Sequence, residues 1–227
     1  MGSKTIYNIQ QILYMQEANA KSQLGQDVHV LHEIYKGKRN GYFVEIGAYD
    51  GIEYSNTYLM EKDYGWKGVL VECNNRWLPS IFQNRDCVFM PYAAYNEDNR
   101  ILEFYDTGHG LSGLVETNSH VSSLSAPRIH VLTKKLTTML DNARAPNFIE
   151  FLSIDTEGSE YEILLHHDFD KYLFGYICVE HNFIIDNRIK IRGLLESKGY
   201  VLFRENRVDD DYIHSSLLVP NEQNGGL

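Results

Sequence analysis

The chain has 227 residues, 43% of them hydrophobic and 23% charged, which is ordinary globular usage and excludes disorder or a fibrous repeat as the main state. It has no apolar run of about 18 residues that would span a membrane, and its first residues lack the apolar core of a secretory signal. Lys and Arg total 21 against 31 Asp and Glu, a formal charge of −10, so the chain lacks the basic patch that nucleic acid or an anionic membrane needs.

Residues 4–36 predict two helices split over residues 21–26, with apolar stripes from Ile9, Ile12, Leu13 and Met15, then from Val28, Leu31, Ile34 and Tyr35. We therefore expect an N-terminal helical extension over residues 1–40 and one compact unit over residues 41–227. From residue 42 the pattern changes to short apolar runs at 42–46, 68–72, 88–91, 148–154, 176–179, 200–203 and 216–219. The early runs are nearly continuous and β-branched, which suits strands buried on both faces of a parallel sheet. Their alternation with helical stretches predicts an α/β sandwich. The last two runs predict an antiparallel edge hairpin, with Asp209-Asp210-Asp211 as its solvated turn. An odd count of cysteines (Cys73, Cys87, Cys178) without CxxC spacing predicts reduced thiols and an intracellular, cytoplasmic setting.

The first candidate site is Phe43-Val44-Glu45-Ile46-Gly47-Ala48-Tyr49-Asp50-Gly51. A buried strand runs into a glycine turn, and glycine lets a ligand lie against the backbone. A plain βα turn would look the same. Glu72, however, follows Gly47 by 25 residues at the end of the next strand, near the place where doubly wound folds put an acid that holds ribose hydroxyls. A nucleoside cofactor is expected. The loop lacks Gly-x-Gly-x-x-Gly, and Glu45 inside the strand suits a cationic ligand better than a pyrophosphate. S-adenosylmethionine is therefore favoured over NAD.

The second constellation is Phe151-Leu152-Ser153-Ile154-Asp155-Thr156-Glu157-Gly158-Ser159-Glu160. Its strand delivers Asp155 to a carboxyl end, where open α/β sheets bind ligands, while Thr156 or Ser159 is placed to cap the next helix. The following strand ends in Val179-Glu180-His181-Asn182. Asp155, Glu180 and His181 should share one edge of the sheet.

Together these segments, with Ser22-Gln23-Leu24-Gly25-Gln26-Asp27, Ser55-Asn56-Thr57-Tyr58-Leu59, Gly65-Trp66-Lys67-Gly68 and Leu111-Ser112-Gly113-Leu114, resemble the FkbM family of class I, S-adenosylmethionine-dependent methyltransferases over roughly residues 22 to 203. The resemblance implies a Rossmann-like, mostly parallel seven-stranded sheet and O-methyl transfer to small molecules. Sugars are a frequent substrate class, here a deoxyhexose such as rhamnose or fucose in a glycan. It also implies that Glu45, Gly47, Ala48, Tyr49, Asp50, Asn56, Glu72 and Asp155 surround the cofactor. Gln23 and Ser112 match further motifs of the same set.

Methyl transfer to a hydroxyl needs alignment and removal of a proton. His181 is the preferred base because an ordinary imidazole titrates near neutrality, and His109 is its rival. Alternatively, Asp155, Glu180 and His181 bind Mg²⁺ or Mn²⁺. The long loop over residues 105–127 is expected to lie over the cofactor face. Tyr49, Tyr54, Tyr92 and Tyr105 fall near the same site. A non-sugar acceptor and a non-catalytic nucleoside-binding module are the remaining readings.

Overall fold

The computed structural model describes residues 17–118 and 126–218. Most of the first predicted helix, and Val219 of the last predicted strand, fall outside this range. The chain runs from α1 (Gln26–His29), continued by a π turn (Val30–Ile34), through β1 (Tyr42–Ile46), α2 (Tyr58–Tyr64), β2 (Lys67–Val71), α3 (Leu78–Asn84) and β3 (Val88–Met90). Four strands follow: β4 (Ala93–Ala94), β5 (Ile101–Tyr105), β6 (Gly113–Leu114) and β7 (Arg128–Lys134). The last stretch is α4 (Leu136–Ala143), β8 (Phe148–Ile154), α5 (Glu160–Leu165), β9 (Leu173–Glu180), α6 (Ile185–Ser197), β10 (Tyr200–Asn206) and β11 (Asp209–His214). Among these residues no helix is long and apolar enough to cross a membrane.

The main sheet has seven strands in the order β10-β11-β9-β8-β1-β2-β3. Strand β1 pairs in parallel with both β2 and β8, so the order reverses there and a crevice opens at the carboxyl ends of β1 and β8. Alternation along β1 supplies both faces. Val44 and Ile46 pack with Leu140 of α4, Leu164 of α5 and Leu195 of α6, whereas Phe43 packs with Leu31 and with Leu59 and Met60 of α2. This is the Rossmann-like, doubly wound α/β arrangement, with helices covering both faces of the sheet.

Two expectations are corrected. The edge hairpin joins β10 to Asp209–His214, not to residues 216–219, and Ser215–Leu217 form a 3₁₀ turn. Asp209, Asp210 and Asp211 are therefore not a solvated turn but buried strand residues, each at most 6% exposed. Each acid has a partner that offsets its burial. Asp209 accepts from Gln26, Asp210 from Arg188, and Asp211 from Arg204 and the Tyr176 hydroxyl. Gln26, Tyr176 and Arg188 come from other elements and Arg204 from the facing strand of the hairpin, so the composition of the Asp run itself does not reveal them. Strands β4, β7, β5 and β6 also form a separate four-stranded sheet that the apolar runs did not announce. β4 and β6 have two residues each, too few to show a period.

Candidate active site

Gly47 ends β1 at φ 85°. A Cβ here would overlap the carbonyl oxygen of Asp155, and the Asp155 N–H donates to the Ile46 carbonyl at 3.0 Å. The glycine turn thus lets the ends of β1 and β8 close on each other.

Glu45, expected beside the cofactor, lines the cavity that opens at this turn, and its carboxylate is also held by partners inside the protein. Its Oε1 accepts from the Asn56 N–H at 2.6 Å, and its Oε2 accepts from the Ser55 and Thr57 hydroxyls at 2.9 and 2.6 Å. The Arg85 guanidinium, with its side chain 1% exposed, stands 3.4 Å from the same oxygen and also pairs with Glu61 at 2.8 Å. Glu45 is neutralised from within and ties β1 to the start of α2. The sequence reading missed Arg85, which lies 40 residues from Glu45.

The turn opens into a solvent-connected cavity. Gly47, Ala48 and Tyr49 line it from the β1 turn, Glu72 and Cys73 from the end of β2, and Asn56 and Asp155 from either side of the crevice. Glu72 accepts from the Tyr49 and Asn74 N–H groups at 3.0 and 2.7 Å. Burial, reinforced by Asp106, pushes its carboxyl up to about 7 despite those bonds. The ring centroids of Tyr49 and Trp77 lie 4.3 Å apart on the same wall, with the planes inclined at 60°, so aromatic faces stand beside a carboxylate. That pairing fits a nucleoside base and its ribose. Asp50 does not reach the cavity; its Oδ1 accepts from the Ile52 and Glu53 N–H groups and builds the turn.

His109, Ser112 and Leu114 of the 105–127 loop complete the described wall of this cavity. The loop is anchored on the β8 side: a Cβ on Gly158, at φ 126°, would come within 2.5 Å of the Thr117 carbonyl oxygen. Tyr54 and Tyr92 also line the cavity, whereas Tyr105 is buried in β5. Neither Thr156 nor Ser159 makes a side-chain cap on α5. Instead Glu160 Oε1 accepts from Thr156 and Gly158 and folds the turn from its far side.

At the carboxyl edge, Asp155, Glu157 and Glu180 place one oxygen each within 4.8 Å of one another. The Asn182 amide bridges Glu157 and Glu180 at 3.0 and 2.7 Å. Desolvation and mutual repulsion raise all three carboxyls, and Asp155 and Glu180 share a hydrogen bond that needs a proton between them. Glu157, at φ 60°, and Asn182, at φ 47°, hold strained backbone in this cluster.

The His181 assignment is corrected. Its Nδ1 accepts from the Phe183 N–H at 3.0 Å, and its Nε2 faces Asp210 Oδ1 at 3.7 Å. Burial lowers its pKa, and it lines neither this cavity nor its neighbour. Glu157, not His181, completes the metal-capable set. Three carboxylate oxygens suit Mg²⁺ or Mn²⁺, so these residues fit such an ion.

Gln23 is placed apart from the first cavity, in a smaller one with Gln26, Glu180 and Asp209. The two cavities meet at Tyr54, Asn56, Ser153 and Asp155, which line both.

The methyltransferase FkbM domain model matches residues 45–202. The METTL16 methyltransferase domain superposes with a TM-score of 0.51 at 9% identity, covering 89% of this chain and 75% of that one. Methyltransferase FkbM from Methylobacillus flagellatus KT gives 0.49 at 10% identity, over 90% of this chain and 58% of that one. Precorrin-6y C5,15-methyltransferase from Geobacter metallireducens GS-15 gives 0.46 at 14%, over 87% and 89%. No curated protein sequence matches the chain. With the matched segment spanning β1 to β10 and every residue of the glycine turn, the chain belongs to the FkbM family of S-adenosylmethionine-dependent methyltransferases.

Proposed function

We propose that the protein methylates a hydroxyl oxygen of a sugar, a deoxyhexose such as rhamnose or fucose in a glycan. The observation that carries this reading is the acidic edge formed by Asp155, Glu157 and Glu180 beside the cofactor cavity. A neutral hydroxyl is a poor nucleophile, and raised carboxyls are suited to take its proton. A sugar, rather than another alcohol, is favoured by the resemblance and by the tyrosine faces of Tyr54 and Tyr92. The acidic surface, at formal charge −10, speaks against a nucleic-acid acceptor.

S-adenosylmethionine would supply a methyl group on a positively charged sulfur. Glu72 would accept from its ribose hydroxyls, Tyr49 and Trp77 would flank its base, and Gly47 and Ala48 offer close backbone approach. Asp155, which lines both cavities, is placed to receive the acceptor's proton, with Glu180 bonded to it. His109 and Ser112 cover the cofactor side. The set Asp155, Glu157 and Glu180 supports a second reading in which a divalent ion lowers the hydroxyl pKa.

Methyl transfer to a panel of methyl glycosides, with and without chelator, tests the proposal. Transfer to a glycoside is expected. Turnover on phenols or amines with none on sugars would overturn the acceptor class, and loss with chelator followed by recovery with Mg²⁺ would select the metal reading.

A further inference from the structure

The smaller cavity is separate from the glycine turn yet opens onto the same acid. Its floor is formed where Asp209 of β11 lies opposite Glu180 of β9 in the antiparallel register. Its rim is the N-terminal segment that carries Gln23 and, as the first residue of α1, Gln26. Neither that segment nor Asp209 belongs to the stretch matched by the family model, which ends at residue 202.

One polar atom here is left without a partner among the described residues. At the junction of the cavities, Asn56 gives its Nδ2 to the Ser153 hydroxyl at 2.8 Å, and its Oδ1 is buried without a hydrogen bond. A buried acceptor without a donor is costly, so this oxygen is suited to a hydroxyl proton brought by a ligand. On the floor, Asp209 is 6% exposed, and its Oδ2 accepts from Gln26 Nε2 at 2.6 Å and from the Cys178 thiol at 3.6 Å. The described lining carries Asp155, Glu180 and Asp209 and no Lys, Arg or His, so a phosphate or carboxylate would find no cation there.

We propose that this cavity is the acceptor subsite, and that Gln23, Gln26 and Asp209 select an uncharged acceptor bearing a second hydroxyl beside the one that is methylated. The proposal rests on the O-methyl-transfer reading above and names the part of the site that reads the acceptor. Gln26 orients the Asp209 carboxylate, which accepts from the neighbouring hydroxyl. Asn56 accepts from a hydroxyl at the junction, so that the reacting oxygen faces Asp155. Acceptor choice then depends on the N-terminal segment and the edge hairpin, which are separate from the cofactor loop.

The test uses the full chain saturated with S-adenosylhomocysteine and the probe methyl α-L-rhamnopyranoside, alongside its singly deoxygenated analogues. Saturation-transfer NMR is expected to show the glycoside bound to the wild type. The signal should drop at least fivefold in D209N and in Gln23→Ala, an exposed position whose replacement spares the fold. Calorimetry should give unchanged S-adenosylhomocysteine affinity in both variants. For a glycoside that is turned over, D209N should raise KM at least tenfold with kcat within about threefold, and removing the neighbouring hydroxyl should hurt the wild type but not D209N. Equal glycoside binding in wild type and both variants, or a parallel loss of S-adenosylhomocysteine affinity, overturns the subsite. If the glycoside binds through Asp209 but no sugar is methylated, the subsite stands and the sugar-methylation reading falls. No glycoside binding to the wild type overturns the subsite.

Discussion

The carbonyl oxygen of Asp155 occupies the space that a Cβ on Gly47 would need, so the turn after β1 and the acid at the end of β8 can coexist only with glycine at position 47. Gly47→Ala must displace one strand end and also strain a residue at φ 85°. It should destabilise the protein by roughly 2–4 kcal/mol and lower S-adenosylhomocysteine affinity. Urea unfolding with parallel calorimetry checks both. Wild-type values in the two measurements would show that the strand ends are free to part.

Arg85 is the cation that makes Glu45 tolerable. Replacing it with Met leaves Glu45 in the interior without a cation, while Glu61 keeps only Lys62 at 2.8 Å. A loss of about 3–5 kcal/mol is expected from breaking a buried ion pair on one side. Adding Glu45→Gln should recover part of it, since the remaining amide carries no charge. If the double variant is no more stable than Arg85→Met alone, Glu45 was not the group that Arg85 neutralises.

Glu72 gives the site a pH dependence. Its carboxyl is raised to about 7 in the free protein, so its neutral form is favoured by folding. That contribution to stability is complete below the unfolded pKa, near 4.5, and is lost as pH rises through 7. Ribose hydroxyls, in contrast, donate to the ionised form. Binding therefore releases a proton, and S-adenosylhomocysteine affinity should rise roughly three- to tenfold from pH 6 to 8 before levelling off. Calorimetry across this range, with Glu72→Gln as a weaker-binding, flat control, measures it. A wild-type profile as flat as that of the variant would remove Glu72 from the ribose contact.

The carboxylate and imidazole assignments separate cleanly by kinetics. Asp155→Asn should cut turnover about 10²–10⁴-fold, the usual weight of a general base. His181→Ala should keep kcat within about threefold, because both ring nitrogens are directed at Phe183 and Asp210. A large kcat loss in His181→Ala with an unchanged melting temperature would restore the histidine as base.

Strands β1, β2, β3 and β8 and the carboxyl-end position of Asp155 were legible from the sequence because buried parallel strands are continuous apolar runs and their ends are marked by glycine and acids. The same signals brought Gly47, Tyr49, Glu72 and Asp155 to one cavity. Tertiary structure alone decided which charges are available to a ligand. Glu45 is paired with Arg85, 40 residues away; His181 turns to Asp210; and Asp209, which local composition assigns to a turn, is buried against Gln26, 183 residues away. A charged side chain looks the same in sequence whether solvated or paired, and only the partner that offsets its desolvation, supplied by a remote segment, determines its part in the site.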